Sequence, residues 1–406
     1  MSEEVRLPPL SKQRWHDLDA VRAGALLSGV LLHGAMSFMQ PRVWIVADNH
    51  TADWADGLFY VIHIFRMTLF FVLAGFFARL MMRKKGVVDF VGNRLKRIAL
   101  PLVAFWPLIL ASIIVMVIVA NAPAPGAPPV PPPPAPSLSV ATLPLTHLWF
   151  LYFLLLLYAG AVVIKLLTDL LHVGGVLGRM LDAVVAGLMR TDLITVLLAV
   201  PVALAFYGDK TWLMWFGVPT PDTGLIPNAP ALSGFITAFV FGWWLNRSPD
   251  LLDHLARRVW VYGFTAVVGV WWCLRTVGEA PALTPVDGHA HWLYVMIYPL
   301  TAWSGVFALI GLARRTLQAE NPVIRYLSDA SYWIYIVHVP LLLLFQWQVK
   351  PLDLDPAAKF ALVVWGTLCV GLLSYALVVR YSFIGTILNG RKRKSRRAAI
   401  TREARA

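Results

Sequence analysis

The sequence predicts an all-α fold, namely a polytopic integral membrane protein with about ten transmembrane helices and both chain ends in the cytoplasm. Of its 406 residues, 58% are hydrophobic and 14% are charged. A typical soluble domain carries roughly 25% charged residues. Apolar runs recur along the whole chain, each near the ~20 residues that cross a hydrocarbon core. The predicted segments are 20–40, 57–80, 96–120, 147–168, 191–207, 230–246, 258–275, 291–313, 330–349 and 358–379.

The distribution of Lys and Arg predicts the orientation of these segments. If the connections alternate between the two sides of the membrane, 28 of the 35 Lys and Arg residues fall on one side and 5 on the other. The positive-inside rule assigns the richer side to the cytoplasm. The net charge of +13 is therefore expected to face membrane lipids, and we expect no nucleic-acid partner.

The segments form one predicted transmembrane domain, residues 1–390, followed by a basic cytoplasmic tail, residues 391–406. An uncharged proline-rich stretch within about 121–146 predicts an extended outer loop without chemistry of its own. Residues 173–190 are apolar on one side only, which is typical of a helix lying in the membrane interface.

Ionisable residues inside membrane segments are the strongest functional signal, because each costs on the order of 3 kcal/mol on insertion scales. Arg22 and His33 are eleven residues apart, so on a helix they differ in direction by about 20° and lie about 16 Å apart along the axis. Gly29 leaves the shared face open between them. In the structural alternative, Arg22 extends to the interface and His33 makes an interhelical hydrogen bond.

Three further polar residues stand in or beside apolar segments. His63 and Arg66 share a face of the second segment, and Arg66 requires a partner or a water-filled cavity. His147 opens the fourth segment at the predicted outer surface, where an interfacial aromatic belt does not explain a histidine. These residues are candidates for the same site as His33.

Tyr332, Tyr335 and His338 recur at three-residue spacing in the ninth segment and therefore share a face. Such a stripe is also typical of packing and hydrogen bonding alone. No His, Cys, Asp and Glu set with metal-ligand spacing is identified, so we expect no metal site. The sequence lacks a phosphate-binding GxxxxGK[ST] loop, which argues against an ATP-driven pump.

Four of these stretches resemble the membrane-bound acyltransferase family 3. LDAVRAGALLSGVLLHG resembles the opening helix of that family, whose signature is an Arg, ten residues and a His; Arg22 and His33 fit this spacing. The other matching stretches, in the expected order, are RMTLFFVLAGFF (66–77), NRLKRIALPL (93–102) and SDASYWIYIVHVPLL (328–342). Ala74 stands where many members have Ser, so we transfer no role to that position.

The resemblance implies an O-acyltransferase of the bacterial inner membrane. Its co-substrate would be a cytoplasmic acyl-CoA, with no tightly bound cofactor, and its acceptor a carbohydrate hydroxyl outside. Ala23, Ala74 and the stretches HIFRM and HLWFL are similar to the branch that succinylates osmoregulated periplasmic glucans. That similarity implies succinyl-CoA as the donor and a periplasmic glucan as the acceptor.

Carried onto this sequence, the resemblance places CoA phosphates on Arg22, Arg94 and Arg97. The pantetheine arm would follow the open face of the first segment. His33 is the predicted general base, because a neutral imidazole can accept the proton of an attacking hydroxyl. The oxyanion would be stabilised by Arg66, His63 or Tyr335, and the remaining predicted substrate contacts are His147, Tyr332 and His338.

Several alternatives stay open at this stage. Arg66 could instead pair with the distal carboxylate of a succinyl group, and an acyl-histidine intermediate is compatible with the same residues. The donor could be acetyl-CoA, or the acceptor another polysaccharide. A secondary transporter of a carbohydrate or lipid-linked substrate is a further possibility, although Asp and Glu lie mostly in loops and at helix ends, which argues against proton coupling. The sequence does not decide whether the protein is a homo-oligomer.

Overall fold

The computed structural model describes residues 15–122, 138–209, 211–283 and 288–390. Most of the predicted proline-rich loop and the whole basic tail lie outside these ranges. The described part consists of helices and the loops that connect them, with one isolated β-bridge between Pro144 and Thr223. Its α-helices are α1 (His16–Ala35), α2 (Asp53–Arg94), α3 (Leu100–Ala120), α4 (Trp149–Leu170), α5 (Gly174–Arg190), α6 (Ile194–Gly208), α7 (Ala229–Leu245), α8 (Leu251–Arg257), α9 (Val259–Val277), α10 (His289–Thr316), α11 (Pro322–Val349), α12 (Pro356–Ser374) and α13 (Phe383–Asn389).

Each of the ten predicted segments coincides with one of these helices, which confirms an all-helical protein. Within the described ranges, six helical stretches are long and apolar enough to cross a membrane, or seven if α5 and α6, which meet at 104°, form one broken span. One of the six, Asp53–Ala120, contains two predicted segments, because α2 continues through a π-helical turn into α3. The number of ten spans and the orientation of the chain remain predictions.

Glycines allow α2 and α7 to pack backbone against backbone. A Cβ atom at Gly75 of α2 would collide with the carbonyl oxygen of Phe239, and one at Gly242 of α7 would collide with that of Val72. Small residues at such crossings are typical of helix pairs in membranes, where close packing replaces the hydrophobic drive. α1 lies inside the helix assembly and contacts α2, α10, α11 and α12.

The connection between α1 and α2 folds over one end of α1 and is held there by a buried ion pair. The Nζ atom of Lys359 in α12 lies 3.0 Å from both carboxylate oxygens of Asp48. It also donates to the carbonyl oxygen of Lys350 at 3.1 Å. Neither side chain of the pair is more than 1% exposed. Lys359 lies at the start of the predicted segment 358–379, and the sequence gave no sign of this pair.

Removing one partner of this pair should destabilise the fold strongly. We expect Lys359→Met to cost about 3–5 kcal/mol of unfolding free energy, because the Asp48 carboxylate would remain buried without a counter-ion. Thermal unfolding of the purified protein in detergent measures this. Lys165→Met, which breaks the exposed Lys165–Asp169 pair, is the control and should cost about 0–1 kcal/mol. Equal unfolding temperatures for the two variants would contradict the prediction.

Candidate active site

A cavity of about 290 Å³ lies among α1, α2, α3, α4 and α11. Most of its wall is apolar or aromatic, and a few polar groups converge on it, which is typical of a small-molecule site. Six of the residues singled out from the sequence line it: His33, His63, Arg66, His147, Tyr335 and His338. The structure therefore brings together side chains from four separate parts of the chain.

On α11, a proline determines how His147 is oriented. Pro340 has no N–H group, so the carbonyl oxygen of Ile336, four residues earlier, lacks its usual helical donor. The Nε2 atom of His147 lies 3.1 Å from that oxygen. Since a carbonyl oxygen only accepts, Nε2 carries the hydrogen and Nδ1 is the unprotonated nitrogen. The hydroxyl of Tyr335 donates to the carbonyl oxygen of His147 at 2.7 Å and fixes the same turn.

His338 is oriented by the same kind of bond. Its Nδ1 atom lies 2.6 Å from the carbonyl oxygen of Tyr335, so Nδ1 donates and Nε2 keeps a lone pair. Nε2 is buried and has no hydrogen-bond partner among the described residues, and the same holds for Nδ1 of His147. The cavity therefore holds two imidazole nitrogens able to accept a proton.

The imidazole of His33 lies directly beside these two. Its ring centroid is 5.3 Å from that of His338, which in turn is 5.0 Å from that of His147. The opposite side of His33 stacks on Trp44, with centroids 5.6 Å apart and planes inclined by 21°. Nδ1 of His33 is buried and unpartnered among the described residues, so it makes no interhelical hydrogen bond of the kind the structural alternative required.

Arg66 fills the face of α1 that the sequence predicted to be open. A Cβ atom at Gly29 would collide with Nη1 of Arg66 and would lie 3.9 Å from Nε2 of His338. Gly29 thus creates room for a guanidinium group, and the predicted path of a pantetheine arm along this face is blocked at that point. Nε of Arg66 is buried without a hydrogen-bond partner, and no described carboxylate lies within 4 Å of the guanidinium.

His63 lines the same cavity from α2, one turn before Arg66. Its ring stacks on Phe59 with centroids 5.1 Å apart, and its imidazole faces the backbone of Phe216 and Val218. The two predicted α2 residues therefore do share a face, as their spacing indicated.

The other predicted site residues, namely Arg22, Arg94, Arg97 and Tyr332, form a separate cluster and do not line the cavity. Arg22 pairs with Asp19 at 3.1 Å, donates to Ser328 at 3.0 Å, and its side chain is 39% exposed.

Arg94 lies over the rings of Phe90 and Tyr158, and the hydroxyl of Tyr332 donates to the carbonyl oxygen of Arg97 at 2.6 Å. The cluster and the cavity are close neighbours along α1. Leu26, which lines the cavity, is one turn, or about 6 Å, from Arg22.

The sequence analysis missed Trp44 and Asp222, which line the cavity, and Gln346, which lies behind Trp44. The indole nitrogen of Trp44 donates to Oε1 of Gln346 at 2.8 Å, and Nε2 of Gln346 donates to the carbonyl oxygen of His33 at 3.0 Å. Gln346 is 1% exposed. The polar amide of Gln346 within the apolar segment could have been recognised from the sequence. Trp44 could not, because it lies in a connection and nothing distinguishes it from other interfacial aromatic residues.

The structure places a polar cavity inside an assembly of apolar helices, and the sequence comparisons identify the class of protein as an acyltransferase. Residues 15–376 match the family described as "Acyltransferase domain" (acyltransferase family 3), and the chain belongs to this family. It is 22% identical over 350 residues to glucans biosynthesis protein C of Escherichia coli strain SMS-3-5, covering 84% of this chain and 86% of the relative. The same protein of strain K12 is 21% identical over 350 residues. No solved structure matches.

A methyl group at Gly29 should impair the site without unfolding the protein. Gly29→Ala would displace the end of the flexible Arg66 side chain, and a shift of about 1 Å in a positioned group costs about 10²-fold in rate. Acyl transfer and thermal unfolding, measured together, test this. Gly24→Ala, on the same helix and with no atom within 4 Å of the added Cβ, is the matched control. Equal acyl transfer by the two variants would contradict the assignment.

Proposed function

We propose that this protein moves an acyl group, with succinyl preferred, from cytoplasmic acyl-CoA to a hydroxyl group of a periplasmic glucan. The observation that carries the proposal is one cavity lined by Arg66 and by three histidines, in which, among the described residues, one nitrogen of each histidine has no hydrogen-bond partner and the arginine has no carboxylate within 4 Å. The glucan acceptor is supported by the names of the relatives in Escherichia coli. The proposal includes ten spans in the inner membrane with both chain ends in the cytoplasm, as the Lys and Arg distribution predicts.

The donor enters at the arginine cluster in this proposal. Arg22, Arg94 and Arg97 bind the phosphates of CoA, for which arginine offers several charge-assisted donors. Arg22 is partly exposed and is one turn from the cavity wall at Leu26. Because Leu26 is part of the cavity wall, a thioester that extends from Arg22 past Leu26 reaches the cavity.

The chemistry takes place between His33 and Arg66. The acceptor oxygen attacks the thioester carbonyl carbon while Nδ1 of His33 takes the hydroxyl proton. The oxyanion of the tetrahedral intermediate is stabilised by Arg66, with His63 and Tyr335 lining the same space. When the intermediate collapses, the carbon–sulfur bond breaks and His33 returns the proton to the sulfur, giving an ester and free CoA.

The unpaired charge of Arg66 supports succinyl as the acyl group. A buried guanidinium that has no carboxylate within 4 Å among the described residues can bind the distal carboxylate of a succinyl donor. An acetyl group has no such carboxylate. The two roles of Arg66, oxyanion stabilisation and donor selection, make different predictions for its removal.

Replacing His33 should abolish most of the acyl transfer. We expect His33→Gln to lower kcat about 10²–10⁴-fold, the usual contribution of a general base, with little change in CoA affinity. Transfer of labelled succinyl from succinyl-CoA, together with equilibrium binding of CoA, measures both quantities. His172→Gln, at an exposed position, is the control. Full activity of His33→Gln would show that His33 is not the general base and would make Nε2 of His338 the next candidate.

Replacing Arg66 should change donor preference. We expect Arg66→Ala to lower kcat/KM about 10²-fold more for succinyl-CoA than for acetyl-CoA, because loss of the oxyanion contact affects both donors, whereas truncating one partner of a buried charge pair, at about 2–5 kcal/mol, affects succinyl alone. Both donors are assayed with the same acceptor. Arg275→Ala, an exposed arginine that does not line the cavity, is the control. An equal loss with both donors would assign Arg66 to the oxyanion alone.

A further inference from the structure

A second cavity, of about 560 Å³, lies among α2, α4, α5 and α7 and shares no lining residue with the candidate active site. Its volume is within the ~300–1,000 Å³ range of ligand sites. Apolar side chains form most of its wall. Four basic residues line it at one end: Arg79, Arg83, Lys165 and Arg247.

The basic end carries more positive charge than the protein neutralises. Lys165 pairs with Asp169, and Arg247 makes a bidentate pair with Asp182 at 2.5 and 2.6 Å. Arg79 donates only to the neutral amide oxygen of Asn246, at 3.1 Å.

Within the described ranges, neither Arg79 nor Arg83 has a carboxylate within 4 Å. Two cations therefore remain for an external anion.

The apolar part of the cavity continues deep into the helix assembly. On α7 the lining runs from Trp244, near the charged end, back to Leu232, twelve residues or about 18 Å of helix. Half of a ~30 Å hydrocarbon core is ~15 Å, so the lining extends from the charged end past the depth of one leaflet. Ile164 of α4 and Ile236 of α7 are 62% and 41% exposed along this wall.

We propose that this cavity binds one anionic phospholipid. Its phosphate accepts hydrogen bonds from Arg79 and Arg83, and an acyl chain lies between α4 and α7. In the orientation proposed above, the lipid comes from the cytoplasmic leaflet. Acyl-CoA fits less well, because the two amides of its pantetheine arm would lose water against a largely apolar wall.

Glycines shape both ends of this site. A Cβ atom at Gly160 would meet no atom within 4 Å, so α4 leaves the acyl-chain space open. At the charged end, a Cβ atom at Gly178 would lie 2.6 Å from Nη2 of Arg247. Gly178 thus lets α5 lie directly on Arg247, which Asp182 of the same helix holds in place.

Native mass spectrometry of the full-length protein, with dioleoylphosphatidylglycerol or dioleoylphosphatidylcholine added, tests the headgroup site. The wild-type protein should retain one phosphatidylglycerol in preference to phosphatidylcholine. Arg79→Gln with Arg83→Gln should lower this preference about five-fold for each arginine. Arg257→Gln with Arg315→Gln removes two exposed arginines outside the cavity and should leave it unchanged.

A second variant tests the acyl-chain space. Gly160→Leu should expel the retained phosphatidylglycerol, whereas Gly263→Leu, which also has no atom within 4 Å of the added Cβ, should retain it. Saturable thermal stabilisation of the wild-type protein by phosphatidylglycerol, and not by phosphatidylcholine, supports the same conclusion without any variant.

Three results would overturn the proposal: equal retention of the two lipids by the wild-type protein, unchanged retention by Gly160→Leu, or displacement of the lipid by CoA. No acyl donor is present in the lipid measurements. Their failure would therefore leave the proposed acyl transfer standing, and a failure of acyl transfer would leave lipid binding standing.

Discussion

A buried positive charge without a counter-ion is the constraint on which the rest of this structure depends. The guanidinium of Arg66 lies against Gly29 at the contact of α1 and α2, and no described carboxylate is within 4 Å. Burying such a charge costs several kcal/mol unless something pairs with it. Helix packing alone gives no reason to keep the charge there. A site that receives an anion, or that stabilises charge developing during a reaction, does give one, and the imidazoles of His33 and His338 line the same cavity as this charge.

The surrounding structure holds this cavity in shape from one side. The Lys359–Asp48 pair fixes the connection that carries Trp44, and Trp44 stacks on His33 while Gln346 bonds to both. The proline of α11 contributes in another way, since the carbonyl it leaves unpaired orients a histidine. Polar groups in otherwise apolar helices thus position one another.

The sequence was sufficient to predict the helical segments and six residues that line one cavity, whose catalytic roles stay predictions. The cost of ionisable groups in a membrane selected Arg66 and His33 correctly as residues of one cavity, because apolar segments rarely keep such groups unless they face a polar space. The sequence could not predict that Arg66 occupies the open face of α1 at Gly29, because this depends on the distance between α1 and α2. Trp44 and Gln346 are 302 residues apart, and no local pattern reports a contact between them. The sequence predicted Arg22 on the same helix as His33, and the structure has both on α1. The separation of the Arg22 cluster from the cavity results from the way the helices pack.

The central claim is that an acyl group supplied on one side of the membrane reaches an acceptor through this cavity. Sealed inside-out membrane vesicles test it, with a glucan trapped inside and succinyl-CoA, labelled in its succinyl group, added outside. The account predicts that label accumulates on the trapped glucan as ester, with CoA released outside, only when the vesicles contain this protein. Unlabelled glucan and intact thioester, or labelling only when donor and glucan are on the same side, would contradict it.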